Sequence, residues 1–319
     1  MPEHIQLSAI IPDNLAGKRL DQVLAVLFAE HSRTRLQTWI RNGNVRVNNQ
    51  IKRQRDRVIG GERIDIKATY ENQESWSAED IPLNIIHEDD ALLILNKPEG
   101  LIVHPGAGNP EHTLLNALLH HDPQLENVPR AGIVQRLDKD TSGLMVIART
   151  PQNHTYLVEQ LQNRNIKREY QAVINGVMTA GGSIDKPIGR HPKHRTRMAV
   201  IDKGKPAVTH FRIIKKYAAH THIQIQLETG RTHQIRVHMA YLRYPIVGDP
   251  VYGGRVKTPK GAGNKLISII QSFPRQALHA CALHLHHPDT GELLHFDAPL
   301  PEDMQILVNA LEDDVKETR

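Results

Sequence analysis

Two short segments concentrate the side chains with which this chain could do covalent chemistry. The first, Arg136-Leu137-Asp138-Lys139-Asp140-Thr141-Ser142-Gly143, brings together two carboxylates, two cations, two hydroxyls and a glycine. It stands directly ahead of the apolar run Leu144-Met145-Val146-Ile147-Ala148. The end of a buried strand suits a functional group, because the scaffold fixes the residue while the loop exposes it. The positive neighbours Arg136 and Lys139 support an anionic Asp138, and a positioned carboxylate can act as nucleophile or as base. The same pattern also fits a polar turn in which Thr141 and Ser142 bond the backbone. The second segment is Gly230-Arg231-Thr232-His233-Gln234-Ile235-Arg236-Val237-His238. It places Arg231 at the end of a strand and Arg236 about a turn into the next helix. Either guanidinium could pair bidentately with a carboxylate or hold a phosphate; otherwise both are surface arginines.

Other chemistries fit less well. Asp138-Lys139-Asp140 has the paired aspartates of phosphatases that form an aspartyl-phosphate, but those place the apolar strand before the first Asp and Thr or Val four residues after it. Here the strand follows, and Ser142 takes that place. There are 20 histidines, including the strand-face pairs His220/His222 and His284/His286, yet no His-Glu-x-x-His helix and no cysteine cluster. No metal site is expected. The single cysteine, Cys281, reads as a small buried strand residue and suits a reducing compartment. Without a P-loop or a dinucleotide glycine pattern, neither a redox cofactor nor a nucleotide is expected. Met1-Pro2-Glu3-His4 shows no secretory pattern, and no run of 18 apolar residues occurs. Cytoplasmic residence, with no membrane attachment, is the expectation.

The elements that must position these groups fall into two parts, as a length of 319 residues suggests. From Ala16 to Lys67, twelve Lys and Arg stand against five Asp and Glu; this stretch carries +7, and the rest of a chain of net charge +5 is near −2. Leu20, Val23, Leu24, Leu27 and Phe28 recur at helical spacing. Ser32 is placed to cap a second helix bearing Arg33, Arg35 and Arg41, which Gly43 ends. Val45, Arg46 and Val47 then read as a strand before an Asn48-Asn49 turn. The interleaved basic residues Arg33, Arg35, Arg41 and Arg46 point to a polyanion-binding module. Its expected span is 16–75, with a linker over 76–83 and a second domain over 84–319. In that domain 85–87 and 92–95 predict a hairpin, Lys97-Pro98-Glu99-Gly100 a turn, and Leu101-Ile102-Val103 a short strand. Thr113 and Thr150-Pro151 predict helix starts, and 166–174, 207–217 and 221–228 predict strands. The Lys/Gly-rich residues 257–265 read as mobile.

Taken together, four motifs in this order resemble those of the RluA-type pseudouridine synthases. They are Asn96-Lys97-Pro98-Glu99-Gly100-Leu101-Ile102-Val103-His104-Pro105, Arg136–Gly143, Arg168-Glu169-Tyr170 and Gly230–His238. Gly248-Asp249-Pro250-Val251-Tyr252-Gly253 and Leu278-His279-Ala280 match as well, and the basic unit is similar to an S4 RNA-binding domain. The resemblance implies an α+β fold: a mixed, mainly antiparallel sheet with a central cleft, preceded by the small S4 domain. It implies isomerisation of uridine to pseudouridine in RNA, with no cofactor. Asp138 would match the family's essential aspartate, Tyr170 the tyrosine that stacks under the uracil, and Arg236 the basic partner of the aspartate. Arg136 would fill the gap left by a flipped base, while Lys97, Arg231 and the S4-domain arginines would contact RNA. Full-length similarity is greatest to members acting on the large ribosomal subunit, which implies 23S rRNA, in its helix 69 hairpin, as partner and substrate of a monomer. The competing expectation is a catalytically inactive, S4-type ribosome-assembly protein. One departure stands beside the first segment: the family usually has His where this chain has Gln135. Asn49 likewise replaces a common glycine.

Overall fold

The chain divides into two units, Met1–Ser75 and Trp76–Arg319. The computed structural model describes residues 3–29, 31, 33–70, 76–106, 108–194, 196–254, 258 and 261–317. In the first unit, β1 (Glu3–Ile10) pairs antiparallel along its length with β4 (Arg63–Tyr70). Strands β2 (Val45–Val47) and β3 (Gln50–Ile51) complete a sheet of order β1-β4-β2-β3. Asn48 and Asn49 join β2 to β3 with φ of 48° and 63°, a left-handed pair that asparagine tolerates. Helices α1 (Leu20–Leu27) and α2 (Arg33–Arg41) bury Leu20, Val23, Leu24, Leu36 and Trp39 with Val45, Val47, Ile64 and Ile66 of the sheet. The helical spacing read from the sequence is thus the face that closes this small core. Strand β1, ahead of residue 16, adds an edge that the sequence pattern did not announce. Ser32, the expected cap of α2, lies outside the described residues, as do 257, 259 and 260 of the stretch expected to be mobile.

The second unit is built on a nine-stranded sheet. In chain order its strands are β5 (Ile85–Glu88), β6 (Leu92–Lys97), β7 (Ser142–Ala148), β8 (Lys167–Asn175) and β9 (Gly182–Asp185). A separate hairpin, β10 (Ile188–Arg190) and β11 (Met198–Val200), precedes β12 (Val208–Lys216), β13 (His220–Leu227), β14 (Leu278–His286) and β15 (Leu293–Asp297). The spatial order is β5-β6-β7-β14-β8-β13-β12-β9, with β15 also on β14. Only β7 and β14 run parallel. Residues 92–95 of β6 and 144–148 of β7 are apolar throughout because both faces are covered. Leu93, Leu95, Met145 and Ile147 enter the larger core, which also takes residues of α3 (Leu114–His121), α5 (Gln234–Tyr241), α6 (Asn264–Ser272) and α7 (Glu302–Glu317). Leu92, Ile94, Leu144 and Val146 pack on the opposite side with Leu157 of α4 (Pro151–Gln162).

Local chemistry sets the element ends near the site. The Thr150 side chain accepts from the Asn153 N–H at 3.1 Å, with Pro151 opening α4. Gly143, at φ 121°, lets β7 approach β14; a Cβ there would sit 2.3 Å from the Ala280 carbonyl oxygen. One expectation is corrected. Leu101-Ile102-Val103 forms no strand, only a bridge from Ile102 to Thr113, because the residues beside it turn away at Gly100 (φ 79°). Residues 76–83, the expected linker, make contacts within the second unit. Trp76 packs on the larger core, the Ser77 carbonyl accepts from Asn116 Nδ2 at 2.8 Å, and the Glu79 N–H donates to the Asn116 carbonyl at 3.0 Å. Among the described residues no helix is long and apolar enough to cross a membrane.

Candidate active site

Asp138 lies in the turn between the Pro129–Gly132 segment and β7, and its backbone carbonyl accepts from the Thr141 N–H at 3.1 Å. Arg236, in the first turn of α5, donates from Nη1 to Asp138 Oδ2 at 3.0 Å. Its other edge is held bidentately by Asp249: Nε to Oδ2 at 2.7 Å and Nη2 to Oδ1 at 2.9 Å. Asp249 Oδ1 also accepts from the backbone N–H groups of Val251 and Tyr252 at 2.8 and 2.9 Å. The guanidinium stands 5.1 Å from the Tyr252 ring centroid. Burial opposes the charge on Arg236, but the two carboxylates outweigh it and push its pKa up. Burial likewise opposes the charge on Asp249, and the bonds from Arg236 pull its pKa down. One cation therefore fixes the near oxygen of Asp138, while the carboxylate keeps side-chain exposure of 16%.

The backbone on the far side of Asp138 is gripped from below. Lys97 is fully buried, and its Nζ donates to the carbonyls of Pro98, Leu101 and Lys139 at 2.6, 2.9 and 3.0 Å. Burial lowers its pKa to about 8, against the pull of Asp140 and Glu99. Arg275 pairs with Asp303 at 2.6 and 2.8 Å and donates from Nη1 to the Asp140 carbonyl at 3.3 Å. Gln276 Nε2 donates to Thr141 Oγ1 at 3.1 Å, and Ser142 Oγ lies 2.9 Å from His279 Nδ1. Lys97, expected to contact RNA, has no exposure here and three carbonyl partners, and in this position it braces the Asp138 loop. The apolar strand leading to Lys97 was the available signal for its burial.

Tyr170 faces the same core from β8, where it pairs with Ile225 of β13 and Ala280 of β14. Burial raises its pKa, and the charge of Asp138 adds to that rise. His233 begins α5 in a left-handed conformation, φ 56°, a strained state for a residue with a Cβ. Its Nε2 lies 3.9 Å from Asp138 Oδ1 and its Nδ1 2.9 Å from the Tyr252 hydroxyl, which accepts from the Met198 N–H. Burial lowers the pKa of His233. Sequence reasoning singled out neither His233 nor Asp249 as a site residue. Asp249 was signalled by its place in a glycine-rich loop and in the Gly248–Gly253 motif, without a role. Arg136 is exposed beside Asp138. Arg231 is half-buried, its Nε donating to the Pro206 carbonyl at 3.1 Å. Gln135 is buried, and its Oε1 has no hydrogen-bond partner among the described residues.

In the first unit Arg41 and Arg46 are exposed, and Arg41 donates to Thr38 Oγ1 at 3.0 Å. Arg35 is half-buried on α2, and of Arg33 only the backbone is described. Among the described residues no group of three or more His, Cys, Asp and Glu could hold a metal ion.

Comparison with known proteins gives the class of enzyme to which this braced aspartate and the separate basic unit belong. Residues 91–241 match the RNA pseudouridylate synthase family, and residues 18–64 match the S4 domain. The chain is 54% identical to ribosomal large subunit pseudouridine synthase D of Vibrio parahaemolyticus, over 99% of this chain and 98% of that protein. It is 53% identical to the protein of the same name from Yersinia pestis, over the same shares. Among solved structures, human RNA pseudouridylate synthase domain containing 4 superposes with a TM-score of 0.56 at 26% identity, covering 72% of this chain and 93% of that one. The chain belongs to the RNA pseudouridylate synthase family of isomerases and carries an S4 domain at its N-terminal end.

Proposed function

We propose that this isomerase converts uridine to pseudouridine in 23S rRNA of the large ribosomal subunit, within the helix 69 hairpin, acting as a cytoplasmic monomer. The observation that carries the site assignment is the line Asp138–Arg236–Asp249, in which a buried, doubly paired arginine holds one carboxylate at the solvent side of the core. In this reading Asp138 works on the sugar of the target nucleotide, either by attack at C1′ or by taking the 2′ proton. The N1–C1′ bond breaks with its pair on the ring, the uracil turns, and C5 bonds C1′. A proton leaves C5 and one is taken at N1. The balance is redox-neutral and needs no cofactor. Tyr170 lies under the ring, near enough to Asp138 to feel its charge. A uridine within a folded hairpin reaches such a site only when flipped out, at a cost of a few kcal/mol. Arg136 is exposed where an inserted side chain could take the base's place. Support for the large-subunit substrate comes from the names of the full-length relatives and from the S4 domain.

The test is a map of pseudouridines on 23S rRNA from cells carrying wild type or Asp138→Ala as the sole copy. Asp138→Ala is expected to remove the helix 69 pseudouridines, with a rate loss on the order of 10⁴-fold or more in vitro, as when a reacting group is deleted. Unchanged modification together with defective ribosome assembly would instead identify a protein that acts by binding.

A further inference from the structure

Among the described residues four cations are buried: Lys97, Arg168, Arg236 and Arg275. Three of them have their charge answered, by three carbonyls, by Asp138 and Asp249, and by Asp303 with backbone carbonyls. Arg168 is different. It is 7% exposed, its Nε is inaccessible and unpaired, and it makes no hydrogen bond or ion pair with any described residue. A guanidinium buried without an acceptor is costly, so its position calls for an anionic partner that comes and goes. Its place says which. Arg168 and Tyr170 are two apart on β8 and share the buried face of that strand, about 7 Å apart along the chain. Gly230, which leads into α5, lies over the guanidinium so closely that a Cβ there would come within 2.9 Å of Nη1. The charges of Arg168 and Asp138 both act on the Tyr170 hydroxyl, in opposite senses.

Resting on the reading of Asp138 and Tyr170 given above, we infer that Arg168 stabilises the negative charge of the uracil ring once it has left the sugar. When N1–C1′ breaks, the bonding pair stays on the ring and spreads over N1, O2 and O4. The sugar carbon is then held as an ester of Asp138 or as the 1′,2′-alkene, depending on how Asp138 acts. The ring carries one unit of negative charge until C5 bonds C1′ and the pair flows back. The other cations near Asp138 are ill-suited to this charge: Arg236 is committed to two carboxylates, Lys97 is enclosed by carbonyls, and Arg136 is exposed. A preorganised, largely buried cation aimed at charge that exists only after bond cleavage acts on the rate rather than on binding. A phosphodiester of the target strand offers the same anionic chemistry, but phosphates are met at the solvent side, whereas Arg168 shares the buried face of Tyr170.

The experiment uses full-length Arg168→Gln and Arg168→Lys with a helix 69 hairpin RNA. Single-turnover pseudouridine formation at saturating RNA and RNA affinity across a salt series are read for each. Arg168→Gln is expected to slow the single-turnover rate on the order of 10²-fold, while leaving affinity and its salt slope unchanged. Arg168→Lys is expected to recover part of the rate. In RNA carrying 5-fluorouridine at the target position, the electron-poor ring leaves more readily. Loss of the N-linked nucleotide, read in nuclease digests, is then expected to show a smaller defect. Weakened affinity, a salt slope shallower by about one and an unchanged saturated rate would overturn the inference in favour of a phosphate contact. Equal defects with both rings, and Lys no better than Gln, would overturn it in favour of packing alone. Asp138→Ala assayed in parallel separates these outcomes from failure of the site reading: activity in that variant would remove the site itself, whatever Arg168 does.

Discussion

The two units handle positive charge in opposite ways. In the first, Arg41 and Arg46 stand in solvent on a helix and a strand whose apolar sides make the core. In the second, Lys97, Arg236 and Arg275 are buried, and each is tied to carboxylates or carbonyls. Exposed cations act through the number of phosphates they neutralise and are individually replaceable. Buried cations act through geometry, and removing one partner leaves an unanswered charge in a low dielectric. The difference separates holding RNA from positioning one carboxylate.

The comparison is strained hardest at Asp249. Asp249→Ala strips Arg236 of its bidentate partner and frees two backbone N–H groups. A loss of about 3–5 kcal/mol is expected, the usual cost of breaking a buried pair, together with loss of pseudouridine formation because Asp138 loses its fixed partner. Urea melts of the two single-tryptophan variants locate that loss, since Trp39 lies in the first core and Trp76 packs on the second. The Trp76 transition is expected to move and the Trp39 transition to stay. A melt at Trp76 indistinguishable from wild type would show that the network contributes nothing to the fold.

Acid separates the units by a second route. Burial holds His104, His220, His222 and His279, all in the second unit, at pKa values of about 4. Nearby Arg130 and Arg136 lower His104 further, and Arg275 does the same for His279. The sign follows from linkage. These bases are harder to protonate when folded, so the unfolded chain takes up protons first as pH falls below about 6.5. The stability they contribute is complete above that value and drains away down to about pH 4, at up to about 1.4 kcal/mol per pH unit for each histidine. Asp89, held at about 2 against the cost of its burial by bonds from His87, Leu92, Ala91 and His287, adds a loss only below about 3.8. Between pH 7 and pH 4.5 the Trp76 transition is therefore expected to fall well ahead of the Trp39 transition. Parallel shifts of the two would break the contrast.

What was legible in the sequence divides along the same line. The exposed basic face of the first unit is a matter of composition and could be counted. Apolar strands β6 and β7 announced themselves because both faces are covered. Motif order singled out Asp138 over Asp140, and the hydrogen bond from Arg236 is consistent with that choice. The partners of the buried charges were not readable, because they come from distant parts of the chain. Asp249 meets Arg236 from a loop 13 residues on, and Lys97 meets the Lys139 carbonyl across 42 residues. Nothing in the Lys97-Pro98-Glu99-Gly100 turn announced the carbonyls that enclose Lys97.

A smaller effect is expected from the first unit. Arg41→Ala and Arg46→Ala remove exposed cations that make no buried contact, so stability should change by no more than about 0.5 kcal/mol. If both contact phosphate, each should weaken RNA binding and reduce the slope of log affinity against log salt by about 0.7–0.9. The saturated rate should hold. A variant that keeps the salt slope of wild type places its arginine outside the RNA interface, and one that slows saturated catalysis would break the division of labour between the units.

A bounded change is expected at Gln135, which sits beside the active segment yet outside its network. Among the described residues its Oε1 is buried without a partner, a state that costs about 1–3 kcal/mol for a polar atom. Neither Asp138 nor Arg236 bonds it, and a carboxamide cannot carry the charge that an imidazole could. If the chemistry rests on Asp138, Gln135→His should alter the single-turnover rate by less than about tenfold, which is about 1.4 kcal/mol of barrier. A thermal melt of the same variant reports whether the ring relieves the unpaired atom. A silent wild type restored by the histidine would show that the proton-carrying group at position 135 belongs to the reaction, and that the buried network around Asp138 is one member short.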